Sequence, residues 1–367
     1  MLFPYKYVPH QMEKMQEFID FIFHKVWCKA PSTEYGIHLF EAEKDLYNLI
    51  DDLFKMDLAG RLKDSSSAKF FYEGVNDIYN EFKSLANNEI EEYQRHFEAN
   101  NKLKESCTGS KDVTPMTYAS LNPMKATLNR KLEEFFKNLY SSGFFSLKKS
   151  TDKIGATLKD YYHSFVREND NGVCPFCGLL PIDGEFDPTR EAFDHFLPKS
   201  KYPFNSVNLK NLAPSCHKCN SGNKRDQDPL HDQHGNRRKT FYPFDSLQPN
   251  IEISVSIREK SWIELSPEKL LVKIVSATYA EEVDTWKELF RVEQRYLAKC
   301  CNKNGGAGWL NRVFNEHQNY NLTWNEMLGA EIQSATRDPW NDANFLKKAF
   351  LEGCDRAGLF TQNGEGA

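Results

Sequence analysis

The sequence lacks the features of a membrane-spanning, secreted or broadly basic protein. Its 367 residues contain 47 Lys and Arg against 52 Asp and Glu, so the formal net charge is −5, which argues against a surface that attracts nucleic acid everywhere. No stretch approaches the roughly 20 uninterrupted apolar residues that a membrane-spanning helix needs. No basic leader with a small-residue cleavage site is present either. We therefore expect a cytoplasmic protein without membrane association.

Complete disulfide pairing is also excluded, because the chain has nine cysteines, an odd number. Reduced thiols together with a metal site are the more natural interpretation in a chain of this length without a secretion signal. Four of the nine form two Cys-x2-Cys pairs, Cys174 with Cys177 and Cys216 with Cys219. This spacing predicts a four-thiolate zinc site, which is normally structural because it has no open coordination position.

Most of the remaining chain is predicted to be helical. Phe71, Val75, Ile78, Phe82 and Leu85 recur at intervals of three and four residues, as on the buried face of an amphipathic helix. Similar patterns occupy residues 1–105 and 278–367, and residues 106–170 read as a linker followed by further helices. The predicted fold class is therefore α+β and predominantly α-helical.

Two segments of different character lie between these helical regions. Residues 171–245 are rich in Gly, Pro and Asn with short apolar runs, as in a small module that needs more than a hydrophobic core to fold. Residues 246–277 follow as a short antiparallel β segment, with candidate strands at 251–258, 261–265 and 269–277.

Residues with catalytic potential lie within and just after the interval between the two cysteine pairs. Asp194 and His195 are adjacent, and neighbours on a strand point to opposite faces unless a metal and a substrate near the strand edge use both. The stretch "CHKCNSGNKR", residues 216–225, places Asn220 and Lys224 where a helix could begin. Such a position favours phosphate binding.

Together these residues resemble the HNH endonuclease family. The matching positions are Cys174, Cys177, Asp194, His195, Pro198, Asn211, Leu212, Cys216, Cys219, Asn220 and Lys224. The resemblance covers residues 172–226 and carries no information about the rest of the chain. It implies a ββα-metal module, in which two strands and a helix hold one divalent cation and the cysteines hold a structural Zn²⁺.

The resemblance also implies roles for individual residues. His195 would be the general base, since a neutral imidazole can take a proton from water near neutral pH. Asp194 and the side-chain carbonyl of Asn220 would bind a catalytic Mg²⁺ or Mn²⁺, because hard cations prefer oxygen ligands. Asn211 would order the loop between the strands and so orient His195.

One spacing departs from the family pattern. Lys224 lies four residues beyond Asn220, whereas the usual interval is three, so Asn223 is an alternative ligand for the catalytic ion. Lys224, together with Arg225, is expected to neutralise a substrate phosphate.

Basic residues are concentrated in this module despite the negative total charge. Residues 194–239 contain nine Lys and Arg against four Asp. Expected nucleic-acid contacts are Lys199, Lys201, Arg225, Arg237 and Arg238, because such side chains neutralise phosphates.

The resemblance predicts a metal-dependent endonuclease that hydrolyses phosphodiester bonds, with DNA as the expected substrate and RNA as the alternative. A role in bacterial nucleic-acid defence or processing, with a partner such as an ATPase subunit or a second copy of the chain, follows by analogy. Two other interpretations remain open: a zinc-braced nucleic-acid-binding module without catalysis, and a regulatory adaptor whose helical arms are the active part.

Overall fold

A computed structural model describes residues 1–121, 123–258, 265–320 and 323–360. Within these ranges the chain is mostly helical, with two small antiparallel sheets. The predicted α+β, mainly helical class is therefore confirmed. The limits predicted for the individual domains stay predictions.

The part of the chain before the first cysteine pair contains eight α-helices among the described residues. They are α1 (Lys14–Phe21), α2 (Lys44–Leu58), α3 (Ser66–Phe82), α4 (Asn87–Asn101), α5 (Leu103–Cys107), α6 (Ala126–Leu139), α7 (Lys148–Ile154) and α8 (Leu158–Glu168). Ser65 caps α3 by accepting a hydrogen bond from the Ala68 amide, which satisfies one otherwise unpaired donor of the first turn. The apolar stripe predicted from Phe71 to Phe82 is buried on this helix.

An aromatic cluster fills the core of the N-terminal helices. Phe23 stacks on Phe97 with ring centroids 4.1 Å apart, and Trp27 packs against Phe82 and Phe135. Phe204, from the segment between the cysteine pairs, enters the same cluster and lies 5.5 Å from Phe23. The Phe204 ring therefore connects the cysteine-bounded module to the helices that precede it.

Two short strands carry the Asp-His pair and its partner segment. Strand β1 (Phe193–His195) pairs with β2 (Leu212–Pro214) in antiparallel fashion, with Asp194 opposite Ala213. A π-helix, Lys218–Lys224, follows the second strand and contains Cys219.

The second sheet consists of β3 (Glu252–Ile257) and β4 (Leu270–Val275), with Val255 opposite Val272. These strands confirm two of the three candidates predicted between 246 and 277. Residues 261–264 of the remaining candidate lie outside the described residues.

The C-terminal region packs on this sheet and on the cysteine pairs. Its helices are α9 (Ala280–Phe290), α10 (Val292–Cys301), α11 (Gly306–Tyr320), α12 (Trp324–Arg337) and α13 (Asn344–Arg356). A Cβ at Gly353 would fall 2.2 Å from the Val255 carbonyl oxygen, so α13 approaches β3 closely only because this position is glycine. No helix in the described ranges has the length and apolar character to cross a membrane.

Candidate functional site

The four predicted metal-binding cysteines come together as one buried cluster. The four sulfur atoms, from Cys174, Cys177, Cys216 and Cys219, all lie within 4.8 Å of one another. The sulfurs of Cys177 and Cys216 are 3.9 Å apart. A tetrahedral zinc ion with sulfur at 2.3 Å requires about 3.8 Å between sulfurs. The cluster is thus compatible with a zinc ion, as the spacing predicted.

Tight backbone turns bring the paired sulfurs together. The amides of Cys177 and Gly178 both donate to the Cys174 carbonyl, and Cys219 and Asn220 repeat this pattern at the Cys216 carbonyl. Gly178 has φ of +62°, a left-handed conformation that favours glycine. The shared geometry of the two turns leaves all four thiols facing one point.

Helices α9 and α10 hold the first cysteine turn from outside. The indole nitrogen of Trp286 donates to the Phe176 carbonyl at 2.8 Å, and the Tyr296 hydroxyl donates to the Cys177 carbonyl at 2.9 Å. The Phe176 ring also stacks on Phe290 at 4.8 Å. The C-terminal helices therefore form part of the structural support of the cysteine cluster.

Arg295 on α10 contacts the cluster directly. Its Nη1 lies 3.2 Å from the Cys219 sulfur and also donates to the Phe290 carbonyl. Burial acts to lower the pKa of Arg295, but the negative charges of Cys219 and Cys177 outweigh burial and raise the pKa above its ordinary value, so the guanidinium stays charged. A cation that donates to a ligand sulfur compensates the negative charge of a four-thiolate site.

Asp194 and Lys224 form an ion pair in the interior of the module. The Lys224 Nζ lies 3.0 Å from Asp194 Oδ1 and 2.9 Å from the His195 carbonyl oxygen, and the two side chains are 0% and 3% exposed. Burial raises the pKa of Asp194, and the Lys224 charge opposes this shift. The structure gives Lys224 internal partners in place of the phosphate contact expected from the resemblance.

The π-helix accounts for the unusual interval between Asn220 and Lys224. The amide of Arg225 donates to the carbonyl of Asn220, five residues earlier, which is the hydrogen bond that defines a π-helical turn. Arg225 then ends the helix with φ of +52°. The wider turn accommodates one extra residue and still directs Lys224 inward toward β1.

The second oxygen of Asp194 is left without a partner. Asp194 Oδ2 is buried and accepts no hydrogen bond from any of the residues that the structure describes. An unsatisfied buried carboxylate oxygen costs free energy unless a donor or a cation reaches it. Its chemistry therefore suits a hard divalent cation.

The His195 ring has a different environment from Asp194, as expected of neighbours on one strand. Its Nε2 lies 2.9 Å from the Ser206 carbonyl oxygen, and the ring packs edge-on against Tyr140 at 4.8 Å. A carbonyl can only accept, so Nε2 carries the proton and Nδ1 carries the lone pair. Burial and the charges of Lys199 and Lys224 lower the pKa of His195 to about 3, which keeps the ring neutral at pH 7.

Asn211 fixes the loop that follows His195. Its Oδ1 accepts from the Leu197 amide at 2.8 Å, its Nδ2 donates to the Leu197 carbonyl at 3.0 Å, and its own carbonyl accepts from Phe196. The side chain is fully buried. These bonds tie the segment after β1 to the segment before β2, and the expected role of Asn211 in orienting His195 stays a prediction.

The side chains of the two asparagines predicted as metal ligands differ in their hydrogen bonds. Asn223 Nδ2 donates to the Lys218 carbonyl, and Asn223 lines a cavity beside Arg295. The Asn220 side chain has no hydrogen bond within the described ranges, since both bonds of this residue involve its backbone. Among the described residues, neither asparagine has a partner at its side-chain carbonyl oxygen, and only the amide nitrogen of Asn223 is engaged.

Most of the basic residues expected to contact nucleic acid have internal partners. Lys199 donates to the Lys137 carbonyl and the Ser141 hydroxyl at the end of α6, and Arg225 donates to the Ser221 carbonyl. Arg237 donates to the Ser106 and Leu230 carbonyls.

Arg238 pairs with Glu288 at 2.8 Å and donates to the Asp228 carbonyl. For the described residues, the Lys201 side chain has no such partner. Lys199, Arg237 and Arg238 thus serve largely to join the module to the surrounding helices.

Three residues around His195 were not predicted from the sequence: Tyr140, Arg190 and Ser206. Arg190 packs its guanidinium over the Phe193 ring at 5.3 Å. Burial raises the pKa of Tyr140, while the charge of Arg190 and its hydrogen bond oppose the shift. Tyr140 lies outside the cysteine-bounded segment and Ser206 acts through its backbone, so no side-chain motif could indicate either residue.

Comparison with known proteins gives one short similarity. The chain is 40% identical over 63 residues to "Protein ea31" of Escherichia phage lambda, a match that covers 17% of this chain and 19% of the phage protein. No protein-family model matches, and no solved structure matches. These comparisons leave the family of the chain to be inferred from its site.

Proposed function

We propose that the protein is a metal-dependent endonuclease of the HNH type that hydrolyses phosphodiester bonds, with DNA as the preferred substrate over RNA. One observation carries this proposal. The buried Oδ2 of Asp194 lacks a partner, next to a neutral histidine whose Nε2 is held by the Ser206 carbonyl. A purely structural Asp-Lys pair would not require an oriented base beside it.

In this proposal His195 takes the proton from the attacking water at Nδ1. The Ser206 carbonyl holds the proton on Nε2 and so fixes the tautomer, while Tyr140 restrains the ring from the side. Asn211 fixes the backbone that follows His195. A positioned base typically contributes a rate factor of about 10² to 10⁴ when its pKa lies near the working pH, and the lowered pKa of His195 places its contribution at the lower end of that range.

Asp194 Oδ2 and the Asn220 side-chain carbonyl would hold the catalytic Mg²⁺ or Mn²⁺. A divalent ion at this position supplies Lewis-acid stabilisation of charge on the phosphate and the leaving oxygen. Lys224 holds Oδ1 of the same carboxylate and so directs Oδ2. Its role here is to position a ligand, in place of the direct phosphate contact that the resemblance implies.

Zn²⁺ in the cysteine cluster would brace the module. Cys174 and Cys177 precede the strand that carries Asp194, and Cys216 and Cys219 lie where the π-helix begins. Binding free energy at such a site contributes directly to folding. We therefore assign zinc a structural role and assign catalysis to the site formed by Asp194, His195 and Asn220.

The decisive experiment is cleavage of supercoiled plasmid and of RNA with Mg²⁺ or Mn²⁺, comparing wild type with His195→Ala. We expect the substitution to lower the rate by about 10² without unfolding the protein. His234→Ala, at an exposed loop position, is the matched control and should retain activity. Equal rates for wild type and His195→Ala would contradict the mechanism.

A nucleic-acid-binding module without catalysis is the second candidate. The observation that favours it is the ion pair itself, because Lys224 alone neutralises the Asp194 charge. Under this alternative, wild type would retard labelled DNA in a gel while leaving plasmid and RNA intact with either metal ion.

The formal net charge of −5 also leads us to propose a partner, either an ATPase subunit or a second copy of the chain, in a bacterial defence or processing complex. Electrostatic attraction to phosphate dominates nucleic-acid affinity, and here it would be confined to one part of the surface. Light scattering that finds a monomer which cuts DNA rapidly by itself would contradict this proposal.

A further inference from the structure

A cavity of about 420 Å³ lies between the π-helix and helix α10, beside the cysteine cluster. Its polar lining consists of three cationic side chains, Lys218, Arg295 and Lys299, and three asparagines, Asn223, Asn302 and Asn304. The other lining residues are aliphatic, and none of the described residues that line it carries a carboxylate. The volume lies within the range of ligand pockets, and the lining favours an anion.

The three cations are not equally available. Arg295 is engaged with the Cys219 sulfur and the Phe290 carbonyl. Lys299 donates to the Asn304 carbonyl and lies 5.8 Å from the Trp309 ring centroid, so its ammonium group is held at the cavity wall. For Lys218, the described residues include no hydrogen-bond or ion-pair partner of the side chain, which leaves this ammonium group free for a ligand.

The wall formed by Asn302 and Asn304 is fixed by two glycines. A Cβ at Gly305 would fall 1.8 Å from the Lys299 carbonyl oxygen, and one at Gly306 would fall 2.0 Å from the Cys300 carbonyl oxygen. Since real side chains do not tolerate such distances, the loop can close against the end of α10 only with glycine at both positions. The cavity is therefore a formed feature of the fold.

We propose that this cavity binds a phosphate group. Lysine ammonium groups and amide donors without a competing carboxylate suit phosphate oxygens, and Lys218 supplies a free charge. The favoured source is the backbone of the nucleic acid, because the cavity adjoins the same π-helix that carries Asn220 and Lys224. A free nucleoside phosphate has the same chemistry and is distinguished by experiment. The backbone assignment rests on the proposed nuclease function, whereas phosphate binding does not.

The test compares wild type with the double variant Lys218→Gln/Lys299→Gln. Binding of a fluorescein-labelled 20-base-pair DNA duplex is followed by anisotropy over a range of salt concentrations, without Mg²⁺ or Mn²⁺ so that the duplex stays intact. Binding of ATP is measured separately by calorimetry. Arg295 is left unchanged because it contacts the cluster, and zinc content is measured for every protein.

The matched control is Lys63→Gln/Lys159→Gln, which removes the same charge at two exposed positions of the N-terminal region. Each duplex phosphate contact contributes about 0.9 to the slope of log K against log salt. We expect Lys218→Gln/Lys299→Gln to reduce that slope by about 1 to 2 and the duplex affinity by at least tenfold, with the control near wild type.

Loss of ATP binding with unchanged duplex binding would support the cavity with a free nucleotide as its ligand. The proposal is overturned if the cavity variant matches the control for both probes, or if wild type binds neither probe. A wild type that binds the duplex through these lysines but cuts nothing would refute the nuclease proposal while leaving the phosphate site intact.

Discussion

Lys224 Nζ lies 3.0 Å from Asp194 Oδ1 with both side chains removed from solvent. The pair connects the end of the π-helix to the strand that carries the proposed base, because the same ammonium group also donates to the His195 carbonyl. The position of Asp194 Oδ2 thus depends on a lysine 30 residues further along the chain.

The ion pair predicts a large stability effect of Lys224→Met. Removal of one partner leaves a buried charge uncompensated, which typically costs about 3 to 5 kcal/mol. Urea denaturation measures the change, and the double variant Lys224→Met/Asp194→Leu should recover much of the loss. Arg225→Met, at the neighbouring exposed position, is the control and should change stability by less than about 0.5 kcal/mol. Equal stability of Lys224→Met and wild type would contradict an interior role for the lysine.

Removal of zinc should unfold the cysteine-bounded module. We expect a chelator to release one metal ion per chain, with increased proteolysis between residues 171 and 245, because metal binding at such sites drives folding. Cys216→Ser should behave like the chelated protein. Cys301→Ser, outside the cluster and partly exposed, should keep the metal, so similar metal loss in both variants would argue against the assigned ligands.

Arg295→Ala should weaken metal binding without removing a ligand. Its Nη1 donates to the Cys219 sulfur, and loss of such an outer contact typically costs 10-fold to 100-fold in metal affinity. Competition with a chromogenic zinc chelator provides the measurement. Lys287→Ala on α9, which pairs with Asp284 and Glu293, is the control. An unchanged affinity in Arg295→Ala would show that the contact does not tune the cluster.

The environment of Asp228 leads us to expect that the free energy of unfolding depends on pH. Burial acts to raise the pKa of Asp228, but hydrogen bonds from His231 and Tyr202 prevail and lower it. A carboxyl with a lowered folded-state pKa stabilises the protein above its unfolded pKa and loses that contribution as the pH falls through the folded value. At pH 7 the free energy of unfolding of wild type should therefore exceed that of Asp228→Asn by about 1 to 3 kcal/mol.

Thermal or urea unfolding of both proteins between pH 7 and pH 2 provides the check. The difference between wild type and Asp228→Asn should shrink with acidification below about pH 4, the unfolded value of an aspartate. Asp226→Asn is the control, because Asp226 lies two residues away at an exposed position. A difference that stays constant over the whole range would contradict the role of ionised Asp228.

Local patterns predicted the helical class and two strands of the second sheet, because each depends on residues close together in sequence. The cysteine cluster joins two distant pairs, but each Cys-x2-Cys pair is a short pattern that is typical of zinc sites. The burial of Lys224 was not predictable, since it depends on a π-helical turn that no residue type specifies. Likewise, Tyr140 meets His195 only through tertiary packing. Arg295 reaches Cys219 across 76 residues, and a lone arginine on a helix gives no signal of such a contact.

Phe204 has a consequence for how the proposed site could be controlled. Its ring is inserted among Phe23, Phe97 and Phe136, and the adjoining Asn205 donates to the Asn100 carbonyl of α4 at 2.9 Å. The next residue, Ser206, supplies the carbonyl that orients His195. A displacement of α4 would therefore also move the carbonyl that holds the His195 ring, so the N-terminal helices and the orientation of the proposed base are mechanically linked.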